Sequence, residues 1–309
     1  MPERSSPVGA DAAIRVGSRS FALASRLFPA DMRHLVWALY AWCRYCDDVV
    51  DGQSAGHGAV ARETPREVVS QLRARTARAV ALGQAWRAGH PADGEGDDEP
   101  FAGLARVVAA TDLPEAYITA HLDGFAMDVD HRGCATLDET LAYCHHVAGV
   151  VGLMMAWLMG VRDADTLASG RALGMAFQLT NIARDVMDDA AGGRVYLPAT
   201  WLREAGVPPD AATLDAPTHR AGVVRVTHRV LDTAATYYDE AAHGINRLPF
   251  RCAWAVGTAR YVYADIGHRV RRDGIRAWER RASTGAARKA WRVLHALLET
   301  TAARVRLRA

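Results

Sequence analysis

The chain has 309 residues, half of them hydrophobic, which is enough for a sizeable buried core in one large domain or two ordinary ones. The formal net charge is +2 and Lys289 is the sole lysine, so nearly all positive charge is arginine. A balance so close to neutral gives no reason to expect nucleic acid as a partner, which would require a strong basic patch.

Residues 1–13 are expected to be a flexible N-terminus, without the charged region, apolar run and cleavage site of a secretory signal. The run LVWALYAWCRYC, residues 35–46, is apolar nearly all round and predicts a buried helix. It leads into DDVVD, with carboxylates at Asp47, Asp48 and Asp51. Asp47 and Asp51 stand four apart and so share a helix face. Like charges there cost a few tenths of a kcal/mol in water and several kcal/mol when partly desolvated. A bound cation offsets that cost; a solvated acidic turn at a helix end fits the same spacing. Cys43 and Cys46 form a C-x-x-C, but the following Asp47 and Asp48 oppose thiolate formation and no second pair completes a zinc site. All five cysteines read as reduced core residues of a cytosolic protein.

Farther along, Gly89 to Pro100 (GHPADGEGDDEP) predicts a solvated loop. The stretch from Tyr143 to Gly160 predicts a helix whose Ala148, Gly149 and Gly152 either leave volume for a long ligand chain or let helices pack closely. Its most apolar part, Val147 to Val161, is interrupted by three glycines and falls short of the ~20 residues of a spanning helix, so a buried helix is expected.

In FQLTNIARDVMDDA the polar groups Gln178, Asn181, Asp185 and Asp189 fit within about 80° of one helix face. Leu179, Ile182, Val186 and Met187 occupy much of the rest. Such a stripe is a poor way to build a core and a good way to hold a hard cation through oxygen ligands. Magnesium suits a few carboxylates completed by water and phosphate. Two stripes facing across a cavity would clamp a diphosphate, with Arg44 and Arg184 adding charge-assisted contacts. Metal-stabilised departure of pyrophosphate from an allylic diphosphate is the chemistry that arrangement serves. The glycine-rich GRVYLP that follows is expected to close over the diphosphates, within a breaker-rich region from Ala190 to about Pro217. The final run, Arg288 to Arg308, is amphipathic and basic, and reads as a solvated face or a membrane-surface contact; it ends without an apolar anchor. No alternating β pattern and no short repeat is present, so residues 1–309 are expected to form one all-α domain around a central cavity.

From Gly17 to about Thr284 these segments resemble the squalene and phytoene synthases, most nearly the bacterial phytoene synthases of carotenoid pathways. The resemblance rests on GSRSFALASRLFP, LYAWCRYCDDVVD, YCHHVAGVVGLMM, FQLTNIARDVMDDAAGGRVYLPATWL, LPFRCAWAVGTARYVYADIG and AWERRAST. It implies the isoprenoid synthase fold and head-to-head condensation of two geranylgeranyl diphosphates, by way of prephytoene diphosphate, to phytoene. By position it makes Asp47, Asp51, Asn181, Asp185 and Asp189 ligands of Mg2+, for which Mn2+ can substitute. It sets Ser20, Arg44, Gln178, Arg184 and Tyr196 near the diphosphates, Tyr143 near the reacting carbons, and Tyr263 and Arg281 more loosely at the substrate. No NADPH is expected, in contrast to squalene synthases. A cytoplasmic location follows, with weak peripheral contact on the inner face of the membrane and with downstream carotenoid enzymes as further contacts. Relatives that make squalene, hydroxysqualene or dehydrosqualene from farnesyl diphosphate, and a catalytically silent assembly factor, are the competing readings.

Overall fold

The computed structural model describes residues 19–50, 64–90, 99–129 and 133–306, which are helical throughout with no strand among them. In chain order the helices are α1 (Arg19–Ser25), α2 (Ala30–Val50), α3 (Pro65–Arg87), α4 (Glu99–Thr111), α5 (Glu115–Val129), α6 (Leu137–Cys144), α7 (Val150–Leu158), α8 (Ala164–Ala191), α9 (Ala199–Glu204), α10 (Ala211–Leu214), α11 (Arg220–Ile245), α12 (Phe250–Asp273) and α13 (Ala286–Arg306).

Local chemistry sets several of these boundaries. Thr64 and Glu67 form a reciprocal capping box at the start of α3, with Pro65 in the first turn. Asp163 caps α8 by accepting from the Thr166 amide at 2.9 Å, and Thr136 caps α6 through the Glu139 amide at 3.3 Å. The apolar run before DDVVD does become a buried helix: Val36, Leu39, Trp42 and Cys46 of α2 are at most 1% exposed.

One core cluster gathers around α2, α4 and α5, and another around α8 and α11. α8 is the hub, packing on α7, α11 and α12. Its approach to α7 is set by glycine. A Cβ on Gly174 would stand 2.1 Å from the Ala148 carbonyl oxygen, and one on Gly152 would stand 2.1 Å from that of Gly170. Of the two roles open to the small residues here, Gly152 serves close helix packing, while Ala148 and Gly152 also face a cavity.

Three expectations are refined. α4 begins at Glu99, so Pro100 sits in a first helical turn, where its missing N–H costs nothing; residues 91–98 of the expected loop lie outside the described residues. The region from Ala190 to Pro217 is not loop throughout, because α9 and α10 fall inside it. Between α6 and α7 the chain winds as a π-helix over His145–Gly149. The continuous segment Leu137–Leu158 is thus 22 residues with a mean hydropathy of 1.5, long and apolar enough by composition to cross a membrane. It packs against α5 and α8, as a core helix does. The expected flexible N-terminus, residues 1–13, lies outside the described residues.

Candidate active site

A cavity of about 1080 Å³ lies between α2, α5, α6–α7, α8, α11 and α12. That is at the top of the range for ordinary ligand pockets, ~300–1,000 Å³, and fits one very large ligand or two long ones. Its wall is segregated. Arg44, Asp47, Asp128, Gln178, Asn181, Arg184 and Arg281 supply polar groups, whereas Val147, Val151, Met155, Leu173 and Ile245 are apolar. The π turn lies in this wall, where such turns re-aim side chains at functional sites.

The two acidic motifs are each held by arginine. Arg44 pairs with Asp47 at 3.1 Å and Asp48 at 2.5 Å, while Asp51 lies outside the described residues. On α8, Asp185 accepts from Arg184 (Nε at 2.8 Å) and from Arg281 (two bonds at 3.1 Å). Burial raises the Asp185 carboxyl, but the two guanidinium groups outweigh it and hold it below the usual carboxylate range. One turn on, burial and the Asp185 charge push Asp189 up to about 7. Gln178 and Asn181 line the cavity itself, with the Asn181 amide donating to Gln178 at 3.3 Å. Asp185 and Asp189 stand farther along the same face and do not line the cavity.

This donor set fits a divalent cation. The Asn181 side-chain oxygen is buried without a hydrogen-bond partner, and Asp189 is a carboxylate crowded by a like charge. Among the described residues no three His, Cys, Asp or Glu side chains cluster tightly enough to form a closed metal site. An ion completed by substrate phosphate and water needs only such open, one- or two-carboxylate corners.

A second constellation joins two expected site residues, Tyr143 and Tyr196, to one that was not expected, Asp128. Asp128 on α5 accepts from the Tyr143 hydroxyl at 3.1 Å and from the Tyr196 hydroxyl at 2.7 Å. The two tyrosine rings stack at 4.6 Å with 15° between planes. Burial, and then the Asp128 charge, raise both phenols, so they stay protonated donors. Tyr143 lines the cavity; Tyr196 supports it from behind. Tyr263 also lines the cavity, stacked on Phe177 at 4.3 Å. Ser20 falls in α1, but its side chain is outside the described residues. The thiols behave as expected of core residues: all five are free, and burial raises Cys43 and Cys46.

The squalene/phytoene synthase family pattern matches residues 14–295, nearly the whole chain. The chain belongs to the squalene/phytoene synthase family. Among its relatives is a 15-cis-phytoene synthase of Pantoea ananas, 46% identical over 293 residues that cover 94% of this chain and 91% of that one. Another, from a Paracoccus species and also a 15-cis-phytoene synthase, is 45% identical across 90% of this chain and 86% of its own length. Among solved structures, a dehydrosqualene synthase in complex with ligand superposes with a TM-score of 0.78 at 25% identity, covering 95% of each chain. A squalene synthase of Alicyclobacillus acidocaldarius gives a TM-score of 0.69 at 23% identity, over 86% of this chain and 94% of that one. The squalene/phytoene synthase fold is therefore shared across the described helices.

Proposed function

We propose that this chain is a phytoene synthase, acting as one helical domain that joins two geranylgeranyl diphosphates head to head. The reaction passes through prephytoene diphosphate, gives phytoene, releases diphosphate twice and consumes no reductant. The observation that carries the reading is the segregated cavity, polar at the two aspartate motifs and apolar beyond them, in a chain 46% identical to a 15-cis-phytoene synthase.

Asp47 and Asp51 on one side, with Asn181, Asp185 and Asp189 on the other, are the residues that would hold magnesium. When bound, that ion stabilises the negative charge of the departing pyrophosphate. The chain's own residues do the rest. Arg44 and Arg184 are held at the polar end by their aspartates and offer guanidinium donors to phosphate oxygens. Gln178 lies between these groups and the apolar wall. Val147, Val151, Met155 and Leu173 exclude water from the carbocation formed on ionisation. Tyr143, held by Asp128, presents a neutral phenol to the same space and orients the reacting chains. The GRVYLP loop is hinged for closure at Gly193, whose φ of +77° favours glycine, and is pinned at Tyr196 by the Thr140 hydroxyl at 3.0 Å. The lipophilic substrate and product support a weak contact with the membrane.

Magnesium-dependent pyrophosphate release from geranylgeranyl diphosphate tests the role of the first motif. Asp47→Ala leaves the fold unchanged, because the side chain is half exposed, and abolishes release. Wild-type release from Asp47→Ala would remove that motif from the site.

A further inference from the structure

The depth of the cavity can be read along two of its helices. On α8, Asn181, Gln178, Leu173, Gly170 and Thr166 line the wall in turn. At about 1.5 Å of rise per residue, the wall from Asn181 to Thr166 is ~22 Å long. α7 and the π turn run beside α8 in the opposite sense, because Ala148 abuts Gly174 and Gly152 abuts Gly170. Tyr143 therefore lies level with the polar end, while Ala156 and Met159 lie level with Gly170 and Thr166, and all of these line the cavity.

At that far end the walls are small and the floor is large. A Cβ on Gly170 would stand 3.0 Å from that of Ala156, and one on Gly244 would stand 2.4 Å from that of Ser169. Glycine, alanine and serine thus draw α7, α8 and α11 together around the end of the space. Phe28, Met159 and Leu248 line it as well, are 3%, 6% and 6% exposed, and belong to one core cluster. A prenyl chain is a ruler for such a space. With C–C bonds of ~1.5 Å an extended chain advances ~1.25 Å per carbon, so the sixteen main-chain carbons of a geranylgeranyl group span ~20 Å and the twelve of a farnesyl group ~15 Å. Measured from Asn181, the shorter chain ends near Gly170 and the longer one near Thr166, one helical turn deeper.

We propose that the turn between Gly170 and Thr166 is an end chamber for the fourth isoprene unit of the substrate, and that Ala156 and Met159 set the chain length the enzyme accepts. Ala156 keeps the chamber open by its small size, and Met159 floors it. A chain one unit shorter leaves the chamber empty and forgoes that burial, while a chain one unit longer meets the floor. An apolar pocket discriminates by ~10-fold or more for a single methylene, and here the difference is five carbons. The proposal rests on the phytoene synthase reading and names the residues that would select its substrate.

The test compares the full chain with an Ala156→Phe variant, which fills the chamber, and a Met159→Ala variant, which deepens it. Binding is read with the unreactive thiolodiphosphate analogues of the farnesyl and geranylgeranyl substrates, and turnover by mass spectrometry of extracted products. Ala156→Phe should bind the geranylgeranyl analogue roughly tenfold or more weakly and lose forty-carbon product to the same extent. Its affinity for the farnesyl analogue should stay at the wild-type value. Met159→Ala should convert geranylfarnesyl diphosphate, five carbons longer, to a product above forty carbons that wild type does not make. Equal losses for both analogues in Ala156→Phe, or no loss for either, would overturn the proposal. Should Ala156→Phe fail to fold, the Met159→Ala variant decides alone, and no gain of longer product would overturn it. A wild-type chain that binds the geranylgeranyl analogue more tightly than the farnesyl one, yet forms no product, would refute the phytoene synthase reading and leave the chamber standing.

Discussion

Asp128 is the residue that changes how the site reads. Its carboxylate takes both the Tyr143 and Tyr196 hydroxyls, so one acidic side chain fixes the rotation of a phenol inside the cavity. Asp128→Asn keeps the shape but weakens both charge-assisted bonds, and frees the Tyr143 ring to swing. The expected outcome is a fall in kcat of about 10²-fold with KM little changed, because orientation rather than binding is lost. An unchanged kcat would reduce Asp128 to a packing residue. Nothing in the sequence flagged it. Asp128 stands in FAMDVD without a second carboxylate at helical spacing, and Tyr143 and Tyr196 reach it only through tertiary packing, from 15 and 68 residues away. Gln178 and Asn181, by contrast, were legible, because a polar stripe on an apolar helix has one economical explanation.

At the scale of elements, two contacts fix how helices around the cavity pack on one another. The first is the glycine-mediated approach of the π turn and α7 to α8. Gly174→Ala sets a methyl 2.1 Å from the Ala148 carbonyl oxygen, a distance that only separation of the helices relieves. The variant should lose about 1–3 kcal/mol, read as a Tm lower by several degrees. A Tm equal to wild type would show that the helices part freely. The second contact clamps α13 to α12, where Asp265 accepts both guanidinium groups, from Arg288 at 3.0 Å and from Arg292 at 2.8 Å. Burial alone would raise the Asp265 carboxyl, but the two arginines outweigh it and bring it down to about 2 from an ordinary 3.8. A folded value below the unfolded one means that the stabilisation is complete above pH 3.8 and is lost as pH falls through 2. It is worth about 2 kcal/mol near neutrality. The denaturation midpoint of Asp265→Asn should therefore lie well below wild type near neutral pH and approach it in strong acid. A gap that stays constant with pH would contradict the clamp. The small residues around Gly152 show a limit of sequence reading at this scale: close packing and open volume call for the same side chains, and only the neighbouring backbone tells them apart.

Across the whole molecule, the helical class and the arrangement around a cavity were legible from apolar periodicity and the absence of any alternating run. From each motif some polar groups do line one cavity, Asp47 from the first and Gln178, Asn181 and Arg184 from the second, while Asp185 and Asp189 do not. What stayed hidden depends on contacts distant in sequence: the π turn at His145–Gly149, the pairing of Arg281 with Asp185, and the entry of Ser283 to Lys289 into the cavity wall. The expected sites for phosphate were placed by motif, and the structure adds that each motif's arginine already has a carboxylate partner. On the proposed function, diphosphate would compete for those guanidinium groups, a cost that metal and phosphate together would offset. The account as a whole stands on the product. Purified protein incubated with magnesium and either geranylgeranyl or farnesyl diphosphate, without NADPH, and extracted for mass spectrometry should yield forty-carbon phytoene from the longer substrate. A thirty-carbon product from the shorter substrate alone would contradict the assigned substrate, and the absence of both product and pyrophosphate would contradict the enzyme itself.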